Sequence, residues 1–139
     1  MRGIIEKKIE DVMTKNVITV TRDTNLRELR DLFNLYDYNA FPVVENEVIM
    51  GVVTKLNFLK IFSFDPDRLI PDLKSIYAQN AGDIMSKRII AVCSGESIQK
   101  AAKKMLDNRV RAVLVTDKEK KKLKGIITRG DIMKYIEVD

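Results

Sequence analysis

At 139 residues, with 45% hydrophobic and 32% charged positions, the chain has the size and composition of one globular domain, or of two half-domains sharing a core, and not of a disordered or fibrous protein. No run approaches the roughly 18 apolar residues needed to cross a bilayer, and Met1 to Lys8 lacks a signal-peptide core, so a cytoplasmic protein without membrane contact is expected. The lack of histidine and the single Cys93 exclude an internal disulfide, zinc-type metal cages and Ser-His-Asp or Cys-His catalysis, while 25 basic against 20 acidic residues, net +5, suit anionic partners without choosing among them.

Along the chain an internal repeat organises the reading. Ile9-Glu10-Asp11-Val12-Met13-Thr14-Lys15 returns as Ala81-Gly82-Asp83-Ile84-Met85-Ser86-Lys87, an offset of 83 − 11 = 72. Val20 and Val92, Leu26 and Ile98, Leu29 and Ala101, Tyr38 and Val110, Ala40 and Ala112, and Val43 and Val115 continue it. Gly51-Val52-Val53-Thr54 then matches Gly125-Ile126-Ile127-Thr128 at 125 − 51 = 74, so two extra residues fall in the lysine-rich stretch Lys118 to Lys122, where a hairpin turn tolerates them.

Each copy reads as strand, helix, strand, strand, helix. The β-branched run Val17-Ile18-Thr19-Val20 predicts the first strand. Thr24, and in the second copy Ser94 or Glu96, precede helical patterns that bury Leu26, Leu29, Leu32 and Phe33, or Ile98, Ala101, Ala102 and Met105. Phe41 to Val44 and Val48 to Val53 flank the turn Glu45-Asn46-Glu47; Ala112 to Val115 and Leu123 to Ile127 flank Asp117 to Lys122. A last helix follows each threonine, with Leu56, Phe58, Leu59 and Ile61, or Ile132, Met133, Tyr135 and Ile136, as its apolar positions. The first copy spans 9–62 and the second 81–139; residues 63–80, with Pro66 and Pro71, join them in a single module of residues 1–139. One such unit hides its small sheet poorly, so the fold class expected is α+β, two repeats packed about a pseudo-twofold axis with the functional surface in the clefts between them.

The chemistry concentrates where the last helix starts. A carboxylate there, Asp131, can accept hydrogen bonds from two neighbouring hydroxyls at once, and Thr128 three residues earlier offers a hydroxyl beside free backbone amides. The same spacing also fits plain N-capping, and both roles can coexist. Lys118 to Lys124 reads as a solvated hairpin tip, since no aromatic is interleaved to stack bases. Cys93 reads as a buried, inert thiol in an apolar strand. The carboxylate pairs Asp11 with Asp83 and Asp65 with Asp67 read as caps and linker residues, and neither a Rossmann nor a P-loop glycine pattern is present.

The Asp-hydrophobic-Met-Ser/Thr openings, the strand Phe41-Pro42-Val43-Val44 and the ending Gly125-Ile126-Ile127-Thr128-Arg129-Gly130-Asp131 resemble two tandem CBS domains, the repeat named after cystathionine β-synthase, paired as a Bateman module in a small standalone protein. The resemblance covers nearly the whole chain. It implies a regulatory module, not an enzyme, that senses an adenosine-containing ligand (AMP, ADP, ATP or S-adenosylmethionine) and signals to an effector protein, with that ligand and no other cofactor. It also implies a homodimer, for which Leu56, Phe58, Leu59, Phe62, Ile132, Met133, Tyr135 and Ile136 would supply the apolar face.

By the same resemblance the main site combines Thr128 and Asp131 with Ile18, Tyr38, Asn39, Ala40 and Ile126, with Arg111 facing phosphates. The symmetric site, Thr54 and Asn57 with Ile90, Val110, Arg111 and Ala112, has asparagine where the main site has aspartate, so it should be weak or empty. Two other classes are compatible with the residues: a nucleic-acid-binding protein driven by the net charge, although nucleic acid is not the expected partner, and an assembly module with vestigial nucleotide clefts.

Overall fold

A computed structural model describes residues 3–63 and 78–138. In chain order the elements are β1 (Gly3–Ile4), α1 (Ile9–Val12), α2 (Leu26–Leu35), β2 (Ala40–Glu45), β3 (Val48–Thr54), α3 (Lys55–Lys60), α4 (Ala81–Ile84), β4 (Ala91–Cys93), α5 (Ile98–Asn108), β5 (Ala112–Thr116), β6 (Leu123–Thr128), α6 (Arg129–Met133) and β7 (Ile136–Glu137). The chain divides into two compact units: a split unit of Met1–Val17 with Ile90–Asp139, and a continuous unit of Ile18–Ile89. Most of the expected linker, including Asp65, Pro66, Asp67 and Pro71, lies outside the described residues.

In the continuous unit the helical period of Leu26, Leu29, Leu32 and Phe33 lays α2 against the β2–β3 hairpin. Leu29, Phe41, Val43 and Val53 are fully buried, and the Phe33 and Phe41 rings meet at 4.9 Å. Burial alternates along β3 with the period of two that a half-buried strand requires. Asn46 and Glu47 turn the hairpin at φ 50° and 69°, the left-handed pair whose twist matches that of the strands.

The split unit repeats the plan with β4, α5 and the β5–β6 hairpin around Ile98, Ala101, Val113, Val115 and Ile127. Here β4 runs parallel to β5, and β5 antiparallel to β6. Ile9 at the head of α1 is fully buried in the same core. β1 pairs antiparallel with β7, Gly3 opposite Glu137 and Ile4 opposite Ile136.

Each Met-Ser/Thr segment lies against the hairpin of the other sequence repeat. Thr14 N–H donates to the Ile126 carbonyl at 2.8 Å and Ile126 N–H to the Thr14 carbonyl at 2.9 Å. In the continuous unit Ser86 and Val52 exchange the same two bonds at 2.8 and 2.9 Å. The glycines of the two Gly-hydrophobic-hydrophobic-Thr motifs permit this approach. A Cβ on Gly125 would stand 2.6 Å from the Thr14 carbonyl oxygen and 2.8 Å from Met13 Sδ, and one on Gly51 would stand 2.6 Å from the Ser86 oxygen and 3.0 Å from Met85 Sδ.

Four expectations are corrected. Val17 to Val20 forms no strand: only Val20 bridges Val43, donating to the Pro42 carbonyl at 2.9 Å and accepting from Val44 N–H at 2.8 Å. One step back, the parallel ladder needs an N–H at position 42, where proline has none. The second repeat has Leu114 there, its N–H reaches the Ile90 carbonyl at 3.2 Å, and the full β4 ladder forms.

The helix caps are Asn25 and Ser97, which accept from Glu28 and Lys100 N–H. Thr24 and Glu96 instead close the preceding turns, on Thr21 and Cys93 N–H. The last helix stops after Met133, because Ile136 is drawn into β7 by a strand more than a hundred residues upstream. Cys93 is half-buried, not buried.

Candidate functional site

Two equivalent constellations, one per unit, form where a hairpin strand turns into a short helix. In the split unit β6 runs into α6. Thr128 Oγ1 accepts from Asp131 N–H at 3.2 Å, and Asp131 Oδ2 accepts from Thr128 N–H at 2.9 Å. This reciprocal box satisfies two helix-start amides and fixes both side chains. Thr128 is therefore the cap and Asp131, the third residue of the helix, its partner in the first turn. The box occupies one carboxylate oxygen; among the described residues no donor is bonded to Asp131 Oδ1, and the side chain is half-exposed.

Arg111 is held beside this box through its backbone, its carbonyl accepting from Arg129 N–H at 3.0 Å, while the residue itself is exposed. Ala112 pairs with Thr128 across the strands. Both backbone groups of Ile126 are taken by Thr14, so only its half-buried side chain is available to a ligand. Ile90 gives its carbonyl to Leu114, and Val110 donates its N–H to the Met105 carbonyl at 3.0 Å and rests its side chain on the core.

In the continuous unit the box is Thr54 and Asn57. Thr54 Oγ1 accepts from Asn57 N–H, and Asn57 Oδ1 accepts from Thr54 N–H, both at 3.0 Å. The asparagine has spent its single acceptor oxygen on the box and is left with an amide that only donates. Asn39 is clamped as Arg111 is, its carbonyl accepting from Lys55 N–H at 2.9 Å, and Ala40 pairs with Thr54. Tyr38, 47% exposed, stacks on Tyr36 with centroids 5.5 Å apart and planes 4° apart. Ile18 is half-buried against the core of this unit.

Thus Thr128, Asp131, Arg111, Ala112 and Ile126 gather in one unit, and Thr54, Asn57, Asn39 and Ala40 gather in the other. The backbone clamps at residues 39 and 111 were not legible in side-chain pattern, since main-chain bonds leave no residue signature.

Of the eight residues expected to form an apolar face, Leu56, Leu59, Phe62, Met133 and Ile136 are exposed. Ile132, only 4% exposed, belongs to the core of the split unit, against which Tyr135 packs, and Phe58 packs against the core of the continuous unit.

Asp83, Glu96 and Asp117, three carboxylates held by backbone amides, are shifted downward. Hydrogen bonds from Gln79 and Asn80 N–H keep Asp83 below its usual range. Glu96 is lowered by Cys93 N–H and then by Lys100, whose ammonium lies 3.0 Å away. Lys121 and Lys122 N–H lower Asp117, with help from the charges of Lys124 and Lys122.

This pair of hairpin-and-box units is the architecture of a tandem CBS-domain protein. The chain belongs to the CBS domain family, which matches residues 9–63 and 81–138. It is 28% identical over 130 residues to the uncharacterized protein MJ1225 of Methanocaldococcus jannaschii, covering 91% of this chain and 46% of that one. It is 32% identical over 133 residues to inosine-5'-monophosphate dehydrogenase of the same organism, covering 92% of this chain and 23% of that enzyme. The chain thus spans less than half the length of these relatives.

Among solved structures, CBSX2 in complex with AMP aligns with a TM-score of 0.76 at 25% identity, covering 91% of this chain and 93% of that one. The crystal structure of MJ1225 aligns with a TM-score of 0.78 at 27% identity, covering 95% and 49%. Among the described residues no helix is long and apolar enough to cross a membrane.

Proposed function

We propose that this CBS pair is a regulatory module that binds an adenosine-containing ligand, AMP or a close relative, chiefly through Thr128 and Asp131, and passes the bound state to an effector protein. The observation that carries this reading is the free Oδ1 of Asp131: the box pins the carboxylate through Oδ2 and leaves a charged acceptor for the ribose hydroxyls. Arg111, exposed and clamped beside it, suits the phosphate. The likeness to an AMP-binding CBS structure supports the ligand class.

The Thr54 and Asn57 box lacks the second, charged acceptor oxygen that Asp131 keeps and is the weaker site. Exposed Leu56, Leu59 and Phe62 support self-association of the module, which light scattering over micromolar concentrations tests.

The deciding experiment is calorimetric titration with AMP, ATP, S-adenosylmethionine and GTP, repeated on Asp131→Asn. The asparagine oxygen can still accept from Thr128 N–H, so the fold stays and only the free acceptor is lost. Loss of one charge-assisted bond is about 1.5–3 kcal/mol, a drop of about ten- to 150-fold in affinity for an adenosine compound. Undiminished binding by Asp131→Asn would remove this carboxylate from the site. Failure of all four ligands to bind the unmodified chain would leave the fold and reject the sensor.

A further inference from the structure

The basic surplus of the chain is not shared between its units. The split unit carries 16 Lys and Arg against 10 Asp and Glu, net +6, and the continuous unit 9 against 10, net −1. Within the split unit, lysines of α5 and of the β5–β6 turn converge on one concavity of about 330 Å³, lined by Lys100, Lys103, Lys104 and Lys120 with Glu96 and Asp107. Glu96 is engaged by Lys100 and Asp107 by Lys103, each at 3.0 Å. That leaves Lys104 and Lys120 as ammonium groups with no carboxylate of their own in the concavity; Lys118 and Lys121 lie on the same turn and Lys124 at the start of β6.

The fold does not require these lysines, as the continuous unit shows. At the offset of 72, Lys100 corresponds to Glu28, Lys103 to Asp31 and Lys104 to Leu32, and the turn that carries Lys120 corresponds to Glu45-Asn46-Glu47. The same helix-on-hairpin plan is thus built once with acidic or apolar residues and once with lysines.

The lysine turn is held in shape by Asp117. Asp117 Oδ1 accepts from Lys121 and Lys122 N–H at 3.0 and 3.3 Å, which orders the turn. Lys120 occupies the left-handed region at φ 61°, where glycine would be less strained.

We infer that this concavity binds a linear chain of phosphates, separately from the Thr128 and Asp131 site. Lysine presents point charges that suit phosphate oxygens from any direction and lacks the planar fork that matches a carboxylate. No aromatic lines the concavity, so bases would not be stacked or read, and recognition would rest on the phosphates alone.

Two probes present this chemistry from different sources: a single-stranded uridine oligonucleotide and linear inorganic polyphosphate, each of about 20 phosphates, titrated by fluorescence anisotropy or competition at several salt concentrations. Replacing both Lys104→Ala and Lys120→Ala removes two contacts of about 0.7 each from the slope of log affinity against log salt, a loss of about 1.4 that is about 25-fold in affinity near 0.1 M salt. Arg27→Ala with Arg30→Ala, on the equivalent helix of the continuous unit, should change neither slope nor affinity. Weakening of one probe and not the other identifies the source. Binding of neither probe, or a double lysine variant that binds as the unmodified chain does, overturns the inference, and AMP binding is unaffected either way.

Discussion

Substituting Gly125 by alanine tests the structural logic of the repeat. The new Cβ would sit 2.6 Å from the Thr14 carbonyl oxygen, a backbone atom that cannot rotate away, and 2.8 Å from Met13 Sδ. Either the strand and the Met13-Thr14 segment strain in place, which overpacking studies put at about 1–3 kcal/mol, or the segment lifts off. Lifting breaks the two Thr14 and Ile126 backbone bonds of 2.8 and 2.9 Å, each worth about 0.5–1.5 kcal/mol net. Both routes lead to a destabilisation of about 1–3 kcal/mol, and their combination to somewhat more.

Gly95→Ala is the matched control: no atom lies within 4 Å of its added Cβ, and the restriction of the unfolded chain is common to both substitutions. Urea unfolding of the two variants should therefore give midpoints separated by at least 1 kcal/mol equivalent, with Gly95→Ala near the unmodified chain. Gly51→Ala, which meets the Ser86 oxygen at 2.6 Å, should fall with Gly125→Ala. Indistinguishable midpoints for Gly125→Ala and Gly95→Ala would refute the argument that these glycines exist for the crossing segments.

Three other outcomes follow from particular contacts. Asp83 and Glu96 are held below their ordinary values of 3.8 and 4.5, so the folded state binds their protons less readily than the unfolded one. Their stabilisation is complete above those values and is lost as pH falls through the lower folded-state pKa values. Unfolding midpoints should drop below about pH 4.5, and Asp83→Asn together with Glu96→Gln should flatten that drop. Pro42→Val restores an N–H opposite Ile18; amide exchange at position 42 should become protected, as it is expected to be at Leu114, with stability changed by less than about 1 kcal/mol because proline's restriction of the unfolded chain is given up. Glu47→Gly relieves a residue at φ 69° and should stabilise by up to about 1 kcal/mol in thermal unfolding, whereas a loss of stability would show that the Glu47 side chain outweighs its backbone.

The elements with clear periodicity were legible in the sequence: α2, α5 and both hairpins stand where their apolar positions recur at helical or alternate spacing. What escaped the reading depends on partners remote in the chain. The Val17 to Val20 run has good strand composition but faces Pro42, and the ladder fails for want of one N–H. Ile136 continues a helical pattern, yet Gly3–Ile4 claims it for a strand. The exchange of Met-Ser/Thr segments between repeats was hidden because it rests on backbone oxygens against glycine, although the pairing of Met13 with Gly125 and Met85 with Gly51 is its trace. At the candidate site the residue types were readable and the roles only half so. The spacing from Thr128 to Asp131 announced a cap, but which oxygen remained available required the geometry.

The two repeats serve as each other's control, and this gives the functional argument its force. Where the fold needs a residue, both copies keep it: the glycines under Met13 and Met85 and the threonines that begin the boxes. Where they differ, the fold is indifferent, since both versions build the same local structure. Asn57 makes its box at 3.0 Å as well as Asp131 does at 2.9 Å, so the negative charge of Asp131 is not there for the helix start. Asn57→Asp is then the complementary test to Asp131→Asn. It should leave the unfolding midpoint within about 0.5 kcal/mol and add a free acceptor to the continuous unit, strengthening any second binding event by about tenfold or more. If Asn57→Asp adds no affinity while Asp131→Asn removes it, the two boxes differ in something besides the carboxylate, and Arg111, whose counterpart at the offset of 72 is Asn39, becomes the residue to exchange next.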